Sequence, residues 1–361
     1  MDRDLSTPRR SQLGQCAAFK SAASFQMTEF LLLLSIMASK QTLLACVITG
    51  LCIGCLAVPP VPEIRWHSLP PLPENSGGHL LVSYQSQPLV IGGTNWVGGN
   101  KIWYNRILQL KGGENVWATV GELPYPTGYS TGTVVDRTVI VSGGNTTGNQ
   151  NVAHTFLITS NWQCKVLPDT AAPPYGAAST AVGERLFSCG GLLKSNDWET
   201  ASSRFAVLNT LDPEAGWQEQ PPMPGTGRAL AGICAWQGKL FVFGGADRQI
   251  CNLADCWTFD IAGNHWKRLP DMPFPMRSAL AFPWKEWIIL IVNCMTTNEG
   301  TTITTDRILF FHPESSAWLN GGHTPYSAVA DGMITDNKIF LVGGEDKALS
   351  RTAECAVGIL E

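Results

Sequence analysis

Charge is scarce in this chain. Asp, Glu, Lys and Arg make up 15% of 361 residues, the formal net charge is −4, and no Lys- or Arg-rich run follows residue 20. A nucleic-acid binder needs a basic face, so this composition argues against nucleic acid as a partner. Metal-ligand spacing is missing as well. Of 11 cysteines, Cys16, Cys46, Cys52 and Cys55 precede residue 60 and the other seven are scattered. No CxxC has a matching second half or a His pair, so no zinc site is expected. Cys251 and Cys256 are the one close pair beyond residue 60. A disulfide between them is permitted in an oxidising compartment, and buried free thiols are the plainer reading. What the chain does have is 44% hydrophobic residues, 36 glycines and 23 prolines. That composition gives a large core and many turns rather than long helices, and predicts an all-β protein.

The first 60 residues stand apart as an N-terminal extension. Two apolar runs, 30–37 and 43–58, are separated by Ser39, Lys40, Gln41 and Thr42. The second has the length of a signal-peptide core, with Lys40 as a weak positive flank and Cys55-Leu56-Ala57 ending in a small residue. Export is the expectation. An uncleaved anchor reaching back to Phe30 and a lipid attachment at Cys55 stay open, as does a start at Met37.

Residues 61–361 are organised by repeats. A glycine pair after an apolar run recurs at Gly92-Gly93, Gly143-Gly144, Gly190-Gly191, Gly244-Gly245 and Gly343-Gly344. A tryptophan followed by a proline-bearing turn recurs at Trp66, Trp117, Trp162, Trp217, Trp266 and Trp318, at intervals of 45 to 55 residues. Apolar runs such as 239–243 and 338–342 read as inner strands buried on both faces, which removes clean alternation. The glycine pair lets the backbone turn in a crowded place, a third strand follows, and the tryptophan strand closes the unit. Four strands and about 50 residues per unit match the Kelch propeller among repeat architectures. Five blades end at Trp117, Trp162, Trp217, Trp266 and Trp318, and a sixth ends without a tryptophan strand. The expected architecture is therefore a six-bladed Kelch β-propeller whose last blade is closed by Ile64-Arg65-Trp66, a device that removes exposed edges. The fifth blade has 288–293 in place of a run ending in a glycine pair, and reads as a degenerate copy.

A propeller is a platform, so function rests on residues at one face. Those following the glycine pairs belong to loops near the central channel, and they differ between blades. The blade-six stretch Gly343-Gly344-Glu345-Asp346-Lys347-Ala348-Leu349-Ser350-Arg351-Thr352 resembles a segment of the N-acetylneuraminate epimerase (sialic acid mutarotase) family. The blade-one stretch 92–103 is similar to a long loop of the same family. In the best-known members the Glu/Arg blade precedes the blade resembling residues 78–120, whereas here it comes last, so the chain resembles a circularly permuted branch. The resemblance implies a periplasmic six-bladed propeller that acts without cofactor on a small sugar acid, with Glu345 and Arg351 as the active pair. A carboxylate suits the proton transfers of anomer exchange, and an arginine suits the substrate carboxylate. Asn95, Lys101 and Trp103 of blade one, with Arg228 and Arg277 at the starts of blades four and five, are the supporting substrate-binding candidates.

Plainer readings accompany each. Glu345 and Arg351 could brace a loop, and Arg228 and Arg277 suit a Kelch framework role better than a site. The six recurring tryptophans are expected in the core, whereas Trp96 and Trp103 fall off that register. His154, His265, His312 and His323 lie on separate blades, which argues against the paired histidines of a Kelch-type copper oxidase. A non-catalytic carbohydrate-binding propeller and a protein-interaction module remain the alternative functions.

Overall fold

The computed structural model describes residues 59–361 apart from 113–114, 168–170 and 172. The apolar segments 30–37 and 43–58, and with them the expected signal or anchor, lie outside the described residues. No helix among the described residues is long and apolar enough to cross a membrane.

The unit from Pro60 onward is built around six antiparallel blade sheets, five of four strands and one of five, with two two-stranded hairpins beside them. Blade one pairs Leu80–Tyr84, Gln87–Ile91, Arg106–Lys111 and Val116–Glu122. Blade two pairs Thr131–Val135, Thr138–Ser142, Thr155–Ile158 and Cys164–Val166, and blade three Ala178–Val182, Arg185–Cys189, Phe205–Asn209 and Trp217–Glu219. Blade four pairs Gly232–Trp236, Lys239–Phe243, Cys256–Asp260 and His265–Leu269. Blade five pairs Leu280–Trp284, Trp287–Thr296, Thr302–His312 and Ala317–His323. Blade six takes Val329–Thr335, Lys338–Glu345 and Thr352–Leu360 from one end and Ile64–Ser68 from the other. The closing strand runs antiparallel to the last, with Ile64 opposite Leu360 and Ser68 opposite Ala356. Both the blade count and the closure match the sequence reading. The first strand of each blade touches the first strands of its neighbours around the ring, so these six strands wall a central channel.

The core is divided among the blade interfaces. Leu89 and Ile91 pack with Val139, Val141 and Phe156 between blades one and two, while Val90 faces Phe340 and Val342 of blade six. In blade four, Leu240 and Val242 face blade three and Phe241 and Phe243 face blade five. Alternate side chains of each second strand thus enter two different cores, which is why the strands read as continuous apolar runs. Each fully buried Leu, Ile or Phe contributes about 1.5–3 kcal/mol. Of the recurring tryptophans, Trp117 and Trp217 are buried, whereas Trp66, Trp162, Trp266 and Trp318 are half-buried and pack on the cores from outside. The core expectation holds fully for two of the six, because the outermost strand keeps one face in solvent.

The glycine pairs answer to the neighbouring blade. A Cβ at Gly343 would sit 2.3 Å from the Ser76 carbonyl oxygen, and the Gly344 N–H donates to that oxygen at 2.8 Å. The second glycine donates in the same way from blade one to Thr127, from blade three to Arg228 and from blade four to Met276. Blade five lacks the pair and its second strand runs on to Thr296 without a break. There the Asn293 side-chain amide donates to the Ala330 carbonyl at 2.9 Å, so a side-chain bond ties blade five to blade six.

Cys256 is a free thiol buried with Phe243 and Met272 in the core between blades four and five. The Cys251–Cys256 bridge therefore does not form. Cys189, Cys234, Cys294 and Cys355 are also buried free thiols, and burial pushes Cys189 and Cys355 up to about 12.

Candidate functional site

A cavity of about 470 Å³ occupies the channel. Its wall is made largely of small and apolar residues from the first strands, and Glu345 and Arg351 both line it. Two β-bulges lie beside them, one between Val342 and Gly344 and one between Val329 and Asp331. Bulges re-aim side chains, and these bring Glu345 and Asp331 to bear on the channel.

Arg351 is the hub. It is buried, forms an ion pair with Glu345 through Nη1, donates from Nη1 to the Ser350 carbonyl at 3.0 Å, and donates from Nη2 to the Tyr129 hydroxyl at 3.2 Å. Burial opposes its charge, and Tyr129 and Glu345 outweigh burial, so its pKa is raised. Gly77 makes room for it, since a Cβ there would lie 2.7 Å from Arg351 Cδ.

Blade one supplies a second cation. After Gly93 its chain forms a hairpin of Thr94–Val97 and Asn100–Trp103, which carries Lys101 over the rings of Tyr129, Trp103 and Trp96 at 4.8, 5.3 and 6.0 Å. The Lys101 ammonium donates to the Tyr129 hydroxyl at 3.3 Å. Trp103 is fixed by donating from Nε1 to Asn145 Oδ1 at 3.0 Å. Lys101, Tyr129, Arg351 and Glu345, from blades one, two and six, form one connected group.

The remaining candidates stand apart from it. Asn95 is buried at the start of the hairpin and accepts the Trp96 N–H at 2.8 Å. Arg228 is fully buried, with Nη1 and Nη2 on the two Asp255 oxygens at 2.6 and 2.8 Å and a further bond to the Gly244 carbonyl. It precedes the first strand of blade four instead of beginning it, and its donors are turned into the framework. Arg277, in a two-residue strand before Leu280–Trp284, reaches Asn252 Oδ1 at 3.4 Å.

Three residues went unread in the sequence. Tyr129 has φ of 55°, and equivalent turns ahead of other blades hold Gly78, Gly176, Leu230 and Ser278 at φ of 52° to 66°. A bulky side chain at such a position signals a constraint. Burial would raise the phenol, but the charges of Lys101 and Arg351 outweigh that and bring it to about 8, with Glu345 opposing them. Asp331 is the one charge within the six first strands, a signal that was available in the sequence. Burial raises its carboxyl to about 7, while backbone bonds from His79 and Gly78 and the Arg351 charge pull the other way. His79, with Nδ1 3.5 Å from Asp331 Oδ2, is lowered to about 3 by burial and by the Arg106 charge. At neutral pH the imidazole is uncharged, so their contact is not an ion pair. Among the described residues, no group of three or more His, Cys, Asp or Glu is placed to hold a metal ion.

Fold and site together define a six-bladed propeller with a charged cluster facing its axial channel. A Kelch motif matches residues 227–273, the span from the approach to blade four through its last strand. The N-acetylneuraminate epimerase of Haemophilus influenzae strain PittEE is 26% identical over 243 residues, covering 56% of this chain and 61% of that protein. The N-acetylneuraminate epimerase of Yersinia pestis strain Pestoides F is 25% identical over 193 residues, covering 43% and 49%. The chain spans about half to three fifths of the length of these curated relatives. The chain is thus similar to a Kelch motif over blade four and to N-acetylneuraminate epimerases over about half its length.

Proposed function

We propose that this propeller interconverts the α and β anomers of a 2-keto sugar acid, N-acetylneuraminate or a close relative, using no cofactor. The observation that carries the reading is the Glu345–Arg351 pair on the channel wall, joined to Lys101 through Tyr129. Two cations face one carboxylate in this group, and a substrate carboxylate makes the count even. Arg351 or Lys101 would hold that carboxylate, and the apolar wall would take the uncharged part of the sugar. Opening and reclosing a hemiketal ring requires only proton transfers, which side chains can supply. The same reading includes export on the segment 43–58, so that the enzyme meets free sugar acids outside the cytoplasm.

The test is proton NMR of anomer equilibration, with residues 61–361 and α-N-acetylneuraminate freshly released by a sialidase. Faster approach to the β form, abolished in an Arg351→Ala protein that still melts cooperatively, is the expected result. No acceleration over buffer, with the sugar still bound, would leave a carbohydrate-binding propeller.

A further inference from the structure

In anomer exchange one oxygen loses a proton as its neighbour gains one, a task that two side chains can share. The Glu345 carboxylate, paired with Arg351, suits the acceptor role at the start, and the arginine has no proton to spare. A second group facing the same cavity can then act as donor.

We infer that Tyr129 is this second proton carrier, giving its phenolic proton to the ring oxygen as the sugar opens and taking one back as it closes. The inference rests on the reaction proposed above. Tyr129 lines the cavity, and its phenol oxygen accepts from Lys101 Nζ at 3.3 Å and from Arg351 Nη2 at 3.2 Å. Those bonds occupy the oxygen's lone pairs and leave its own proton for another acceptor. They also place two positive charges where a phenolate would form, an arrangement that stabilises charge as it develops. Glu345 and Tyr129 sit on the two nitrogens of one guanidinium, which holds the two groups side by side.

The step balances. The Glu345 carboxylate removes the proton of the anomeric hydroxyl, whose electrons form the carbonyl. The bond from the anomeric carbon to the ring oxygen breaks with its pair on that oxygen, which takes the Tyr129 proton. After rotation about the adjoining carbon–carbon bond, the new hydroxyl attacks the other carbonyl face and returns its proton to Tyr129. The carbonyl oxygen takes the proton held by Glu345, and both groups end as they began.

The position is enforced. Tyr129 keeps a left-handed backbone, its N–H donates to the Gly78 carbonyl at 2.6 Å, and a Cβ at Gly78 would fall 2.6 Å from its ring. Tyr175 packs on the ring at 4.6 Å between centroids and stays neutral because burial, then Tyr129, raises its own pKa well above the ordinary value. Burial and, more weakly, Glu345 raise the phenol, while Lys101, Arg351 and a Thr94 hydrogen bond together lower it further.

The experiment measures anomer exchange of N-acetylneuraminate against pH in wild type, Tyr129→Phe and Lys101→Met, each checked for a cooperative melt. Tyr129→Phe should lose roughly 10²- to 10⁴-fold in kcat with KM little changed. Wild type should lose rate as the phenol ionises, and Lys101→Met should move that alkaline limb upward by about one pH unit or more. Phenolate absorbance of wild type minus Tyr129→Phe should show one tyrosine ionising ahead of ordinary ones. Active wild type with Tyr129→Phe within about threefold of it would overturn the inference alone. An unmoved alkaline limb, or a difference spectrum without that early step, would also overturn it. Wild type that accelerates nothing would overturn the proposed reaction and the inference with it.

Discussion

Glu345 and Arg351 are separated by five residues yet occupy different environments, since the arginine is buried and the carboxylate side chain keeps 39% of its surface. That asymmetry makes the two replacements differ. Glu345→Gln leaves a buried cation with Tyr129 as its remaining side-chain partner, and it should still melt cooperatively while losing turnover. A large drop in melting temperature with turnover kept would instead establish the pair as a loop brace. Arg351→Lys keeps charge but loses the fork that holds Glu345 and Tyr129 together, and should lose at least about tenfold in rate. His79 and Asp331 give a stability prediction. The folded state refuses the proton that an unfolded histidine takes below 6.5, so the His79 contribution is present above 6.5 and is lost as pH falls toward 3. Asp331 keeps its proton up to about 7 against an ordinary 3.8, so its contribution is present below 3.8 and is lost as pH rises toward 7. Between about 4 and 6.5 the two slopes, each about 1.4 kcal/mol per pH unit, cancel. Burial is the leading cause of both shifts, so each survives loss of the other residue. Across that window His79→Asn should lose stability with rising pH and Asp331→Asn with falling pH. Denaturant midpoints that stay parallel to wild type would refute this.

At the scale of the element, the repeat was legible because its landmarks are imposed by neighbours. A glycine pair recurs where the next blade's carbonyl leaves no room for a Cβ and needs an N–H, as Ser76 does at Gly343 and Gly344. Glu345 and Arg351 were legible because they fall in one short segment. Tyr129 was not, since 222 residues separate it from Arg351 and only closure of the ring brings them together. Blade five read as degenerate because sequence shows the lost glycines and not the side-chain bond that Asn293 makes to blade six. Asn293→Ala should therefore leave the buried Ala330 carbonyl without its donor and cost about 1–3 kcal/mol, read as a lower denaturant midpoint at unchanged slope. No shift would mean that the bond contributes nothing net. Gly78→Ala should act on the site, because it drives a methyl into the Tyr129 ring in a left-handed turn. Its expected signature is a loss of rate larger than its loss of stability.

For the whole molecule, the decisive strand is Ile64–Ser68. Ile64 and Trp66 pack on the core between blades five and six, so the strand covers apolar surface as well as an edge. A chain beginning at residue 70 should melt earlier and self-associate through the bared edge of Thr352–Leu360, and a peptide of residues 61–69 added in trans should reverse both effects. Equal melting temperatures with and without the strand would show that blade six holds on three strands.

Pairing residue 64 with residue 360 also sets an order of events. Loop-closure entropy grows only with the logarithm of length, so joining such distant segments costs about 3 kcal/mol more than closing a ten-residue loop. The equilibrium penalty is small, but the kinetic one is not, because contacts this remote in sequence are made late. A nascent chain can assemble its first five blades while still on the ribosome, yet the arginine that gathers Lys101, Tyr129 and Glu345 arrives with the final turn of the ring. The site should therefore be finished last, so that a sugar is held only by the closed ring.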